Sequence, residues 1–382
     1  IPHIGLKNAS VLFKQMEGQF VVFEATQSGY DLKKATKDEI AAWRAEKKKK
    51  RTVVLPGLNL DQKELKWLDK IRASETDAYG AKTSNLGEIV HGKVKGCFVP
   101  DAFGVPIHYY EAHMIRHGLD KKMKALLADE KVQSDAAYRR DELKKLREAI
   151  LAAPIDKKLL DEVERNVNSM KAPKGVFVRS STNAEDLPGF NGAGLYDTVP
   201  FVQGREDLAK AIKKVWASVW NLRAFEEREH FGIDHRKVYG AVLIQLAVPA
   251  TAAGVLITAN IFDKDDRDRF TINAKRGLGM KVVEGKRIPE QILFDTSNMG
   301  IRVLSRSDEK TILVFDRRGG VREVPNPGRG KPVLSDSRVL TLAFAAQAIQ
   351  RLFPKHRALD IEWLFVHDRL YVVQARPYVT AR

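Results

Sequence analysis

Residues 239–262 carry no charged side chain, and this run decides whether the chain crosses a membrane or folds around a buried sheet. It passes the crude length test of about 20 apolar residues for a membrane-spanning helix. Its interior favours a sheet, because Gln245 and Pro249 interrupt it, and Gly240 and Gly254 begin two separate apolar runs. AVLIQLAV and GVLITA each suit a buried strand, with PATA as the turn between them. The sequence therefore predicts two paired strands and no membrane partner.

Apolar periodicity along the rest of the chain predicts an α/β (α+β) fold. Helical spacing predicts helices over residues 119–128, 136–152, 157–168, 207–231 and 339–352. Strands are predicted at GVFVRSS, at FTINAKRGLGM and in the closing DIEWLFVHDRLYVVQARP, where a tight HD turn joins two strands. Near the start, GQFVVFEATQSGY alternates like a strand and KDEIAAW suits a short helix. Trp216 and Trp220 are four residues apart on a predicted helix, so we expect both in the core.

The charge balance favours anionic partners without choosing among them. The chain has 65 Lys and Arg against 49 Asp and Glu, a net charge of +16, which suits nucleotides, nucleic acid, phosphorylated substrates or a membrane surface. The run EKKKKR at residues 46–51 suits a solvated linker, and a nucleic-acid patch would need interleaved aromatic residues. Cys97 is the single cysteine, which excludes an intramolecular disulfide and multi-cysteine metal sites. The sequence contains no HExxH, GxSxG or GxxxxGK[ST] motif.

Residues 178–198, VRSSTNAEDLPGFNGAGLYDT, form the most informative segment for chemistry. A predicted strand ends at Arg179, three hydroxyl residues follow, and Gly189, Gly192 and Gly194 lie within six residues. Glycines let backbone N–H groups approach a ligand closely, and successive N–H groups in such a loop form an anion-binding nest. A guanidinium adds a planar fork matched to phosphate. On local chemistry alone, a glycine-rich hairpin with a surface arginine is an equal alternative.

Two further segments carry polar groups in positions that suit a site. Gln374 and Arg376 are two apart on a strand and share a face, and Glu362 lies on the preceding strand. A carboxylate and an amide oxygen suit Mg²⁺, and a guanidinium suits phosphoryl oxygens, although an internal Glu362–Arg376 salt bridge is an alternative. Lys82 in YGAKTSNLGEI lies near a helix start, with Ser84 as a possible cap. A lone lysine on a helix is usually solvated.

In this order, the segments resemble the ATP-binding domain of the phosphoenolpyruvate synthase / pyruvate, phosphate dikinase family. AKTSNLGEI is similar to the family's GGKxxxLGE opening, VRSSTNAEDLP to its VRSSxxxEDLP loop, and DIEW with LYVVQARP to its closing signature. AIKKVWASVWNLRA resembles a helix typical of the family. The resemblance covers roughly residues 70 to 382 and implies an ATP-grasp fold.

The first 43 residues resemble the tail of the family's swivelling phosphohistidine domain. We therefore expect a remnant of that domain at 1–45, a basic linker at 46–60, and the ATP-grasp domain at 61–382. A helical insert near 117–170 matches no element that we can name. This domain order looks most like the α-glucan water dikinases. The phosphorylated histidine would lie before Ile1, so none of the histidines present takes that role.

The resemblance implies ATP and Mg²⁺ as cofactors, with Glu362 and Gln374 as the metal ligands. Arg376 and Arg179 would be catalytic, with Arg376 clamping the transferred phosphoryl group. The implied ATP-binding residues are Lys82, Arg179, Gly194, Thr198, Gln245, Glu362, Gln374 and Arg376.

The remaining roles are also implied by the family. Lys82 and Arg179 would hold the ATP phosphates, Gly194 and Thr198 would line the loop over the phosphate chain, and Gln245 would lie beside the adenine. One departure concerns Met280 in GLGM, because many relatives have GLGE, and this puts the role of that position in doubt.

The implied activity is transfer of a phosphoryl group from ATP to the swivelling histidine and then to an acceptor, with release of AMP and phosphate or diphosphate. We expect an α-glucan as the acceptor, with pyruvate or another small molecule as the alternative. A basic polyanion or nucleic-acid binding module is the non-enzymatic alternative, and a degenerate ATP-binding regulator is another. We expect no nucleic-acid partner, and a cytoplasmic location, or a plastid one if the source is a plant.

Overall fold

The computed structural model describes residues 14–16, 19–25, 30–48, 53, 55–170, 175–185, 187, 190, 192, 194–263, 265–266, 268–280, 289–354 and 358–378. The chain divides into two units, one of Ile1–Thr52 with His230–Gly232, and the other of Val53–Glu229 with Ile233–Arg382.

The first unit contains an antiparallel hairpin of β1 (Val21–Ala25) and β2 (Tyr30–Lys34), followed by helix α1 (Lys37–Lys48). The strand predicted in GQFVVFEATQSGY and the helix predicted in KDEIAAW are therefore confirmed. Because α1 continues to Lys48, the first three residues of the predicted 46–60 linker are helical. The linker residues 49–52 and 54 lie outside the described residues.

The second unit alternates helices and strands. Its strands are β3 (Lys66–Trp67), β4 (Cys97–Phe98), β5 (Ala102–Val105), β6 (Val176–Thr182), β7 (Thr198–Val202), β8 (Gly240–Leu246), β9 (Ala252–Ile257), β10 (Arg269–Arg276), β11 (Glu290–Asp295), β12 (Ile301–Ser305), β13 (Thr311–Phe315), β14 (Val321–Pro325), β15 (Leu359–Val366) and β16 (Arg369–Pro377). Its α-helices are α2 (Thr76–Gly92), α3 (Ile107–Arg116), α4 (Leu119–Ala128), α5 (Glu130–Ser134), α6 (Ala136–Ala152), α7 (Lys157–Ser169), α8 (Arg205–Ser218), α9 (Leu222–His230) and α10 (Asp336–Leu352). The mixed α/β fold class expected from the sequence is confirmed.

A five-stranded antiparallel sheet carries the first half of the uncharged run. Its order is β3-β5-β8-β6-β7, so β8 lies in the interior between β5 and β6. Ala241, Val242, Leu243 and Ile244 of β8 are fully buried, as a strand covered on both faces requires. Nothing long and apolar enough to span a bilayer occurs among the helices of the described residues.

A seven-stranded sheet carries the second half of the run and the C-terminal hairpin, so β8 and β9 lie in different sheets and the predicted pairing of these two strands is wrong. Its order is β12-β11-β10-β9-β15-β16-β4, and every pairing is antiparallel except the parallel pairing of β16 with β4. Buried residues alternate along β15, with Ile361, Trp363 and Phe365 in the same hydrophobic cluster as Ala343 and Ile349 of α10. The intervening polar residues of β15 therefore project from the opposite face of the sheet.

The helical block predicted near 117–170 is present as α4 to α7, and the predicted helices over 119–128, 136–152 and 157–168 are confirmed to within one residue. The block is joined to its neighbours by polar contacts. Arg147 donates to the Asn221 side chain at 2.9 Å, and Arg139 pairs with Glu226 at 3.1 Å. Asp135 and Asp156 cap α6 and α7 by accepting backbone N–H groups, as helix N-terminal carboxylates do.

The single helix predicted over 207–231 is wrong, because the chain breaks between α8 and α9. Trp220 and Asn221 donate their N–H groups three residues back, which tightens the last turn of α8. The Asn221 side chain then donates to the Leu195 carbonyl at 3.2 Å and to Asp197 at 3.0 Å. Tertiary contacts to the glycine-rich segment thus accompany the end of the helix. Trp216 and Trp220 are both buried, as expected.

His113 on α3 is buried against the helical block, and its Nε2–H donates to the Ile150 carbonyl at 3.2 Å. Burial lowers the pKa of His113 to about 4, and the charges of His117, Lys213 and Arg116 act in the same direction. The unfolded chain therefore binds a proton between pH 6.5 and 4 that the folded chain does not. We expect the free energy of unfolding to fall as pH is lowered through this range, by up to about 3 kcal/mol from this residue.

Urea unfolding of the parent and of His113→Gln from pH 7.5 to 4 measures this effect. The glutamine variant should show a shallower loss of stability, whereas His91→Gln, which changes an exposed histidine, should follow the parent. Equal pH slopes for all three proteins would show that His113 does not titrate differently in the folded chain.

Candidate functional site

A cavity of about 510 Å³ is lined by strands of both large sheets and by α2 and α8. This volume lies within the range of small-molecule and cofactor pockets. Every residue that the sequence assigned to ATP or metal binding lines this one cavity: Lys82, Arg179, Gly194, Thr198, Gln245, Glu362, Gln374 and Arg376. Met280 lines it as well, and Gly189 lies outside the described residues.

Arg179 lies at the centre of the cavity wall and joins the two sheets. It is buried on β6, and its Nη1 donates to Gln245 Oε1 at 3.0 Å on the neighbouring strand β8. The same nitrogen donates to the Val373 carbonyl at 2.6 Å, on β16 of the other sheet. Its Nη2 donates to Glu362 Oε2 at 2.9 Å and to Gln374 Oε1 at 3.0 Å. The surface-arginine alternative is therefore wrong.

Lys82 is buried rather than solvated, because α2 packs closely against β6. Its Nζ donates to the Ser180 carbonyl at 2.7 Å and lies 3.6 Å from Glu185 Oε1. The helix is kinked just before Lys82 at Gly80, whose φ of 73° and ψ of 166° are not helical. A Cβ atom at Gly80 would overlap the Ser181 carbonyl oxygen. Glycine therefore permits both the kink and the close approach.

The cap expected at Ser84 is wrong, since Ser84 lies buried inside α2. Ser181 of β6 takes that role from across the interface. Its Oγ accepts the Thr83 N–H at 3.0 Å and the Thr83 hydroxyl at 2.9 Å, and it donates to the Tyr79 carbonyl at 2.8 Å. A strand residue thus satisfies the polar groups that the kink exposes.

The C-terminal hairpin presents two cross-strand pairs on one face. Asp360 lies opposite Arg376, and Glu362 lies opposite Gln374. Arg376 donates to Asp360 Oδ2 through Nε at 3.0 Å and through Nη2 at 2.6 Å. Glu362 pairs with Arg179 instead, so the two guanidinium groups have different carboxylate partners. Sequence reasoning missed Asp360, although its position two residues before Glu362 on the same strand places it on this face.

The pKa values of the two carboxylates on β15, Glu362 and Asp360, shift in opposite directions. Burial acts to raise the pKa of Glu362, but the charges of Arg179, Arg376 and Lys82 outweigh it, so the pKa lies below its ordinary value. Burial raises the pKa of Asp360, and the nearby Glu362 charge adds to that shift while Arg376 opposes it. Glu362 is therefore held ionised by the cations around it.

The sequence identified the glycine-rich segment at residues 178–198, but it did not predict several of the contacts that these residues make. Glu185, within the quoted motif, accepts from Ser180 Oγ at 2.9 Å and from the Thr182 N–H at 3.1 Å. Gly194 has a φ of 68°, and Thr198 pairs with Arg179 across β6 and β7. The cavity also contains Tyr196, Asp197 and Lys214, which lie in motifs quoted above but were assigned no role there.

The cavity wall contains a polar atom that a ligand could satisfy. Gln245 lines the cavity, and its buried Nε2 has no hydrogen-bond partner within the described part of the chain. A buried donor of this kind is costly unless a ligand or water completes it. Gln245 Nε2 is therefore a candidate donor to a ligand.

The donor set fits Mg²⁺ as a partner of phosphate rather than as an all-protein centre. Glu362 and Gln374 supply a carboxylate and an amide oxygen, which this hard cation prefers. Among the described residues, no group of three or more His, Cys, Asp and Glu side chains could hold a metal ion. Mg²⁺ typically uses one or two carboxylates together with substrate phosphates.

Lys82, Arg179 and Arg376 line a cavity between the two sheets whose volume suits a nucleotide, an arrangement expected of a nucleotide-binding domain. Residues 76–382 match the family described as "Pyruvate phosphate dikinase, AMP/ATP-binding domain". The chain belongs to this family, and ATP is its ligand class. The resemblance found from the sequence is confirmed at the level of the family.

Curated relatives share about a third of their aligned residues with this chain. It is 32% identical over 323 residues to a probable phosphoenolpyruvate synthase of Methanocaldococcus jannaschii, covering 83% of this chain and 27% of the relative. It is 30% identical over 332 residues to the phosphoenolpyruvate synthase of Neisseria meningitidis (81% and 41%). It is 31% identical over 319 residues to a rifampicin phosphotransferase of Bacillus cereus (81% and 35%). The chain thus spans less than half the length of these relatives, and none of the three is named a glucan dikinase.

The kink at Gly80 should be essential for bringing Lys82 to the cavity. Gly80→Ala introduces a methyl group that overlaps the Ser181 carbonyl at a residue with positive φ. We expect the free energy of unfolding to fall by at least about 2 kcal/mol, measured by urea denaturation. Gly57→Ala is the matched control, because a Cβ there meets no atom within 4 Å. The control should stay within about 0.5 kcal/mol of the parent, and equal losses in the two variants would refute this account of the kink.

Proposed function

We propose that this chain is the ATP-binding part of a dikinase that moves a phosphoryl group from ATP to a histidine on a swivelling domain, and from there to pyruvate or another small organic acceptor. The observation that carries the proposal is the convergence of Lys82, Arg179 and Arg376 on one cavity with Glu362 and Gln374. Phosphoryl transfer needs little covalent chemistry from a protein beyond positioning phosphates and neutralising their charge. These side chains can position the phosphates and neutralise their charge.

The cations take the phosphate-binding roles. Arg376 lines the cavity and is oriented by two hydrogen bonds to Asp360, which suits a guanidinium that clamps the transferred phosphoryl group. Arg179 and Lys82 hold the other phosphates. Gly194, which has a positive φ, and Thr198 line the loop over the phosphate chain.

The amide of Gln245 is the candidate contact for the adenine. Its Oε1 accepts from Arg179, which leaves its buried Nε2 as a donor for a ring nitrogen. Glu362 and Gln374 would hold Mg²⁺, which would supply positive charge to neutralise the phosphates. Because cations keep Glu362 ionised, it is ready to act as a metal ligand at neutral pH.

The acceptor is the least constrained part of the proposal. The names of the relatives support pyruvate, as in phosphoenolpyruvate synthase, over the α-glucan that the sequence first suggested. A larger organic acceptor is a second candidate, because the similarity to rifampicin phosphotransferase is comparable at 31% identity. Assays of the longer protein with ATP and pyruvate, a glucan or rifampicin would separate these acceptors.

The domain assignment follows the same proposal. Residues 1–45 would be the end of the swivelling domain, 46–60 the linker, and 61–382 the ATP-grasp domain. The separation of Ile1–Thr52 from the unit beginning at Val53 supports a boundary in the basic stretch. The histidine that carries the phosphoryl group would belong to a part of the protein outside this sequence. A nucleic-acid binder remains the competing proposal, supported by net charge alone.

Calorimetric titration of Mg-ATP into this chain tests the site, with Arg376→Ala as the key variant. Removing one side of a buried charge pair costs about 2 to 5 kcal/mol. We therefore expect an affinity loss of about thirty-fold or more, at 1.4 kcal/mol per tenfold. Arg338→Ala is the control, because that arginine pairs with the exposed Asp368 and does not line this cavity.

The parent and the control should bind Mg-ATP with similar, micromolar-range affinity. No binding by a demonstrably folded parent would refute the proposed ATP site and favour a degenerate domain or a polyanion binder. Equal binding by Arg376→Ala and the parent would remove Arg376 from the phosphate-binding set.

A further inference from the structure

The guanidinium of Arg179 occupies the same oxygens that the proposed metal would need. Its Nη2 lies 2.9 Å from Glu362 Oε2 and 3.0 Å from Gln374 Oε1. These two side chains are the proposed Mg²⁺ ligands. A cationic donor and a divalent cation cannot share such oxygens without strong repulsion, since like charges a few ångströms apart in a partly buried site repel strongly.

Three cations that line the cavity each pair with a carboxylate: Lys82 with Glu185, Arg179 with Glu362, and Arg376 with Asp360. Asp197 and Lys214 line the cavity as well. Glu362 has a side chain only 19% exposed, and its carboxylate lies 2.9 Å from the Arg179 guanidinium. If Arg179 turns towards a phosphate, Glu362 loses its closest cation and needs a replacement.

The position of Arg179 allows such an exchange. It lines the cavity on β6 directly opposite Thr198, at the end of the glycine-rich segment. Three of its four acceptors are neutral, so a phosphate oxygen would be a stronger partner for the guanidinium than any of these three: Gln245 Oε1, the Val373 carbonyl and Gln374 Oε1.

We propose that Arg179 exchanges partners when nucleotide binds: it blocks the metal ligands Glu362 and Gln374 in the nucleotide-free chain, and the phosphates draw it away so that a divalent cation can take its place. This inference rests on the proposed function of the cavity. It makes nucleotide and metal binding mutually dependent, because a coupling free energy between two sites acts equally in both directions. Arg179 is thus a positioning residue for the metal ligands as well as a phosphate ligand.

Binding of Mn²⁺ to the nucleotide-free chain tests the exchange directly. Free Mn²⁺ is measured by electron paramagnetic resonance for the parent, for Arg179→Gln and for Lys214→Gln. Lys214 also lines the cavity and is exposed, so its variant removes the same charge without freeing the ligand oxygens. We expect Arg179→Gln to bind Mn²⁺ roughly tenfold more tightly than the parent, as the removal of a bonded charge implies. Lys214→Gln should change the affinity by no more than about twofold.

A double variant identifies the oxygens responsible. Adding Glu362→Gln to Arg179→Gln should abolish the gain, because the freed carboxylate is the main new ligand. A gain that persists in the double variant would overturn the proposal, and so would an Arg179→Gln affinity equal to that of Lys214→Gln.

Arg179→Lys keeps the experiment decisive if Arg179→Gln does not fold, which circular dichroism would reveal. One ammonium group retains the buried charge but cannot bond all four acceptors in the planar geometry of a guanidinium. Its Mn²⁺ affinity should exceed that of the parent by roughly threefold, and equality with the parent would overturn the proposal.

Nucleotide binding by the parent, measured in the same series with Mg-ATP, separates this inference from the proposed function. A parent that binds Mg-ATP, together with an Arg179→Gln variant that gains no Mn²⁺ affinity, overturns the exchange alone. A folded parent that binds no nucleotide overturns the proposed function, and the exchange that rests on it fails with it.

Discussion

The cross-sheet hydrogen bonds of Arg179 are the interaction on which the site depends. One buried guanidinium on the five-stranded sheet holds a carboxylate, an amide and a backbone carbonyl of the seven-stranded sheet at 2.6 to 3.0 Å. Hydrogen bonds to charged groups contribute about 1.5 to 3 kcal/mol each. Loss of one partner from a buried pair would cost about 3 to 5 kcal/mol. Arg179, a residue of the proposed site, therefore connects the two sheets that bound the cavity.

The close approach of the α2 backbone to β6 determines the position of Lys82 in the cavity. Gly80 lets α2 kink against β6, and Ser181 satisfies the backbone groups that the kink leaves open. This packing buries Lys82 beside Ser180 and Glu185. A buried lysine is stable only when a carboxylate or carbonyl group accompanies it. Burial of Lys82 therefore depends on Gly80, on Ser181 and on Glu185 together.

Sequence patterns predicted the elements well where local spacing decides them. The helices around 119–128 and 136–152 and the strands on either side of PATA follow from apolar periodicity, which reflects which face is buried. The prediction of one helix over 207–231 is wrong, because Asn221 makes long-range hydrogen bonds to Leu195 and Asp197 that a periodic pattern does not encode. The prediction of a cap at Ser84 is wrong for a similar reason, since Ser181 on a distant strand takes that role.

The sequence by itself determined the ordered motifs, the family that they resemble and, through that resemblance, part of the set of residues that line the cavity. Motifs can be read from residue type and order along the chain without the tertiary structure. Only the tertiary structure decided how the charges pair: Arg179 with Glu362, Arg376 with Asp360, and Lys82 with Glu185. Partner choice among buried charges depends on distance and desolvation in three dimensions, and residues almost 200 positions apart in sequence meet only when the two sheets pack.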